Sequence, residues 1–199
     1  MKLPDRRILA GLAVAMSSLL LLRSSSRGAQ EEAGNLARRY YIQAQAMGEG
    51  TQLGKTFGVT VIVEQYSSPE DQQALIRAFR QRGNEGLVNA LSRMSTKGRI
   101  SITGTLGYDV SYIREFQMPD GSRKVRLITN RPIRFGENYW DTRSMDYNLS
   151  AMEVILNDRG SKSAGTLYPA CQLKMDKENQ VELELLQNPW RLVDVMVRY

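Results

Sequence analysis

The chain contains no histidine and one cysteine, Cys171. Without histidine it can hold no Ser-His-Asp or Cys-His triad, no zinc-peptidase helix motif, and no general base whose ordinary pKa lies near neutrality. One cysteine excludes an internal disulfide, so stability has to come from packing. Cys171 alternates with Leu167, Pro169, Leu173 and Met175, which reads as an apolar strand face where a thiol stays protonated and inert. Phosphate-binding and calcium loops are missing too. Gly54-Lys55-Thr56 resembles the end of a P-loop, but Glu49 stands where that motif needs glycine, and the tripeptide precedes a strand instead of following one. No acidic run has the spacing of a calcium loop.

A strong excess of one charge is also lacking once the N-terminus is set aside. The whole chain carries 27 Lys and Arg against 21 Asp and Glu, but residues 1–28 hold five of those cations and one acid. The remainder has 22 against 20, a net of +2, which gives no reason to expect a nucleic-acid partner. The cluster Arg123-Lys124-Val125-Arg126, with Arg131 and Arg134, reads as a solvated edge strand whose charges oppose sheet-to-sheet pairing.

Only one long apolar run is present, the fifteen residues Ile8 to Leu22. A helix needs about 20 apolar residues to cross a bilayer core, so this run is short for a span and suits an export signal. Lys2, Arg6 and Arg7 precede it, and the small residues Ser26 and Gly28 place cleavage before Ala29. The expected location is therefore secreted or periplasmic. The alternative is an uncleaved anchor, which would be the chain's sole membrane contact.

Residues 1–28 thus read as a signal peptide, 29–56 as a helical or flexible N-terminal arm, and 57–199 as a single globular domain. In the arm, Leu36, Tyr40, Ala44 and Met47 form a stripe that predicts a helix over Glu31–Met47. Val59, Val61 and Val63 alternate along a strand over 57–66. Ser68-Pro69-Glu70-Asp71 then has the spacing of a capping box with proline at the first helical position. Two helices are expected over 69–97, the first ending at Arg82-Gly83 and the second capped by Asn84, as an αα-hairpin. From Arg99 to Tyr199 the period becomes two. Pro119-Asp120-Gly121-Ser122 turns one hairpin, Ile133 and Phe135 form a short strand, and a phase change between Leu149 and Met152 predicts a β-bulge near Ala151.

About eight strands at this spacing predict a mostly β, α+β domain: a curved antiparallel barrel-like sheet covered by the helical hairpin. A two-layer α+β domain is the alternative. No pattern calls for a metal, a cofactor or a catalytic constellation. Glu137, Asp141 and Asp146 beside Tyr139 and Trp140, and Glu182 with Glu184, read as solvated acids. Arg114 is the informative residue, because alternation places it with Tyr108 and Tyr112 on one apolar face. A guanidinium there needs an anionic partner, as in carriers of amphiphiles. The expected function is a non-catalytic module binding a small apolar or amphipathic ligand in the barrel, lined by Tyr108, Tyr112 and Arg114. The alternative is a structural or protein-interaction module of the cell envelope, with Tyr139 and Trp140 at its surface.

Overall fold

The computed structural model describes residues 39–133, 147–157, 162–175 and 181–199. The signal-like segment and Tyr139-Trp140 lie outside them. The first element is not the helix expected over Glu31–Met47. Residues Tyr40–Gly48 form strand β1, in which Tyr40, Ile42, Ala44 and Ala46 are buried at every second position. Positions 40 and 44 fit a period of four as well as a period of two, and the β-branched and aromatic Tyr-Tyr-Ile start decides for the strand. The helical stripe was a coincidence of spacing.

Strand β2 (Thr56–Val63) follows, and helix α1 covers Pro69–Arg93. The capping box is present: Ser68 Oγ accepts from the Asp71 amide at 3.2 Å, and Asp71 Oδ2 accepts from the Ser68 amide at 3.0 Å. The expected hairpin of two helices is not. One helix runs through, kinked where Arg82 (φ −140°) and Gly83 (φ 57°, ψ −144°) leave helical geometry. Glycine permits that conformation, so the chain bends there and continues. Asn84 does not cap a second helix. Its side chain donates to Asn148 Oδ1 at 2.7 Å and accepts from the Leu173 amide at 3.0 Å, strapping α1 to the sheet.

Strands β3 (Gly98–Ile102), β4 (Tyr108–Val110), β5 (Tyr112–Gln117) and β6 (Arg123–Thr129) come next. They are followed by β7 (Leu149–Leu156), β8 (Ala164–Met175), β9 (Val181–Leu185) and β10 (Trp190–Arg198). All pairings are antiparallel, in the order β4-β3-β2-β1-β10-β8-β7-β6-β5, with β9 added to β8. The outermost members of that order, β4 and β5, are separated in sequence by Ser111 alone. The sheet therefore has to curl until its ends meet, and it forms a nearly closed barrel. Hydrogen bonds stitch the seam. The Ser67 amide donates to Ile113 O at 2.7 Å and the Ile113 amide to Ser67 Oγ at 3.0 Å. Gly98 lies under this seam, and a Cβ there would come 2.1 Å from Ile62 O.

The barrel interior is filled by side chains from all around the ring, among them Ile42, Val61, Ile100, Leu127, Met152 and Trp190. A second cluster forms on the outer wall, where Leu75, Leu87 and Leu91 of α1 pack on Tyr112, Leu149 and Cys171. Both faces of β7 are thus covered over its first half, while Ile155 near its end is exposed. Leu149 faces the helix and Met152 the interior. The predicted bulge is present, but its extra residue belongs to β8: Leu149 pairs with Cys171 and Ala151 with Tyr168. Ile133 is not a strand residue. Its amide donates to Ser150 Oγ (2.7 Å) and Pro169 O (2.8 Å), closing the bulge.

Candidate functional site

Along β6, Val125 and Leu127 point inward, which puts Lys124, Arg126 and Ile128 on the outer wall. This strand is not the solvated edge expected from its charges, because it pairs with β5 on one side and β7 on the other. Register then brings Arg114 of β5 directly opposite Arg126, and Arg126 directly opposite Glu153 of β7. Arg126 Nε and Nη2 both donate to Glu153 Oε2, at 2.9 and 2.7 Å. Lys124 Nζ reaches Glu153 Oε1 at 2.9 Å. The Phe116 ring packs with both guanidiniums, whose centres lie 5.8 Å (Arg114) and 5.4 Å (Arg126) from its centroid. Arg114 also donates to Gln72 Oε1 of α1.

These charges are not ordinary surface groups. The Lys124 and Arg126 side chains are only 14% and 12% exposed, and Glu153 22%. Burial pushes the Glu153 carboxyl up, but Arg126 and Lys124 outweigh it and hold it below the usual carboxylate value. Like charges directly opposite one another on a sheet are unfavourable. The Arg114–Arg126 pair is such a case.

Beside this cluster lies a pocket of about 50 Å³. Its wall is almost wholly apolar, with Ile128, Ala151, Cys171 and Leu183 contributing, and Arg126 and Glu153 border it. The pocket exists because β8 continues beyond its pairing with β10, and β9 folds back on that extension at Cys171–Met175. Burial raises the Cys171 thiol to about 12, and Sγ lies 3.6 Å from Leu149 O. The thiol is thus a neutral piece of wall and no nucleophile. Among the described residues no group of three or more acidic or cysteine side chains is gathered in a way that could hold a metal ion.

Tyr108, Tyr112 and Arg114 do not share a surface. Tyr108 packs against the interior cluster, while Tyr112 belongs to the outer one. The break at Ser111 shifts the alternation: Val110 and Ile113 both point inward, which turns Tyr112 and Arg114 outward. Sequence reasoning picked out Arg114, left Lys124 and Arg126 as a solvated edge, and did not single out Glu153. Their parity along β6 was legible, whereas the register that sets Glu153 beside them was not. Glu184, expected to be solvated, is 41% exposed and pairs with Lys174 Nζ at 2.6 Å, and that ammonium holds its carboxyl below the usual value.

A second polar network lies where β1 and β6 begin and β10 ends. The Tyr40 and Tyr66 hydroxyls are 2.6 Å apart, and Tyr66 donates to Glu115 Oε2 at 2.6 Å. Arg123 meets Glu115 at 3.4 Å and the Tyr199 hydroxyl at 3.1 Å. It joins four strands and the β2 exit, and it reads as a plug. No known protein-family model matches the chain, and neither do any of the curated proteins or solved structures.

Proposed function

We propose that the protein is an exported, non-catalytic binding module for a small amphipathic anion. The ligand lies on the outer barrel wall, with its apolar part in the pocket between β6, β7, β8 and β9 and its charge against Arg126, Lys124 and Arg114. The observation that carries this reading is the directly opposed Arg114–Arg126 pair, mostly withdrawn from water beside an apolar hollow. An anion there relieves the repulsion, and its hydrogen bonds to guanidinium gain strength from the low exposure. Apolar pockets with a few convergent polar groups are the usual form of small-molecule sites. Export is supported by the charged and apolar N-terminal pattern.

A second reading, a protein-interaction module, draws on Leu53 and Leu106. They are 81% and 92% exposed on the turns after β1 and β3, at the same end of the barrel as judged by the Val59–Ile102 register.

Native mass spectrometry of the full chain, exported through its own N-terminus and purified gently, tests the first reading. The expected result is a chain starting near Ala29 with an extractable small-molecule adduct that is lost in Arg126→Gln and Arg114→Ala. A clean ligand-free mass, with no uptake from an envelope lipid extract, would sink it.

A further inference from the structure

Resting on the amphipathic-anion reading, the size and lining of the pocket define the ligand more closely. An apolar cavity of about 150 Å³ admits benzene. The hollow here is about 50 Å³, a third of that, and open to the surface, so what it can enclose is a short aliphatic segment. Its wall is almost wholly apolar, with Cys171 and Leu183 contributing, and Arg126 and Glu153 border it. A ligand with its anionic end at Arg126 therefore passes directly from charge to hydrocarbon, with no polar linker between. Glu153 already occupies one face of Arg126 and one of Lys124. The ligand anion has to share those cations with a carboxylate, which favours a compact, singly charged head over a phosphate carrying a second negative charge.

We infer that the site takes a short aliphatic carboxylate, linear or branched, of about three to six carbons. The first carbons fill the hollow, and any beyond them remain at its mouth in water and add little.

The test is a methyl-NMR titration of the full chain, following Ala151 and Leu183, with the sodium salts of acetate through dodecanoate and with hexylammonium as the tail-matched cation. The expected result is an affinity that rises about fourfold per carbon from acetate to pentanoate, then levels off, with no site-specific shifts from hexylammonium. Arg126→Gln is expected to weaken hexanoate by about tenfold or more. If that variant does not fold, Leu183→Phe on the peripheral strand β9 serves instead. It fills the hollow and is expected to make every acid bind as weakly as acetate.

Affinity that keeps climbing through dodecanoate, still dependent on Arg126, would overturn the short-chain assignment and leave the amphipathic-anion reading standing. No binding at any chain length would overturn both. A response to hexanoate unchanged in Leu183→Phe would overturn the placement of the tail.

Discussion

Ser150 and Cys171 illustrate how much single buried groups decide here. The Ser150 hydroxyl is fully buried. It accepts from the Ile133 amide and has Pro169 O (2.7 Å) and Arg131 O (2.9 Å) as acceptors for its one proton. Ser150→Ala removes its hydrogen bonds but leaves the Ile133 amide bonded to Pro169 O and Arg131 O to the Thr129 hydroxyl, so chemical denaturation is expected to show a loss of about 0.5–1.5 kcal/mol. A change below about half a kcal/mol would mean the bulge satisfies itself without the hydroxyl. Cys171 and Tyr40 are two of the buried acids that weaken the fold at alkaline pH. Burial raises the thiol from 9.0 to about 12 and the phenol from 10.0 to about 12. The folded state holds both protons more tightly than the unfolded chain, so their contribution is complete below about pH 9 and is lost as pH rises toward 12. Equilibrium unfolding across that range is expected to show stability falling with pH, and Cys171→Ala is expected to flatten the part beginning near 9. Alternation with Leu167 suggested the thiol's burial, but the bulge in β8 leaves Leu167 in the interior and turns Cys171 to the outer wall, where the second cluster buries it.

Helix α1 shows where local rules suffice and where they stop. Its start was legible residue by residue, since a capping box is made by groups three positions apart. The break at Arg82-Gly83 was legible as well, but its consequence was not: a glycine at φ 57° can end one helix or merely bend it, and packing on the barrel chooses. Nothing lies within 4 Å of a Cβ placed at Gly83. The effect of Gly83→Ala is therefore purely one of backbone conformation, and a destabilisation of about 1–3 kcal/mol is expected in urea unfolding. An unchanged midpoint would show that the kink relaxes freely. Strand β1 is the opposite case. Its alternating and four-residue patterns coexist in Tyr40–Met47; the Tyr-Tyr-Ile start decides locally for the strand, and pairing with the neighbouring β2 and the distant β10 holds it.

The barrel is held shut at two places of different kind, and they make the chain's ends essential to it. At one, β4 and β5 are joined through Ser111; at the other, β1 pairs with β10, with Tyr41 opposite Arg198. Deleting residues 190–199 removes the strand that bridges β1 and β8 and leaves two open edges. Loss of cooperative thermal unfolding is expected, whereas a permutant joining Tyr199 to Arg39 and opened in the turn at 103–107 is expected to melt cooperatively. A cooperative melt in the truncated chain would show that ring closure is dispensable. Composition and local pattern settled the chemistry this chain excludes, the antiparallel strands, the turn at 119–122 and the helix start, because each depends on side chains a few residues apart. Inter-strand register depends on the closed ring. It was register that set Arg114 against Arg126 and Glu153 beside them, turned Tyr112 away from Tyr108 at Ser111, and filled the interior while leaving a hollow on the outer wall. A shift of one residue along a strand reverses every side chain on it, and nothing local to a strand prevents that shift.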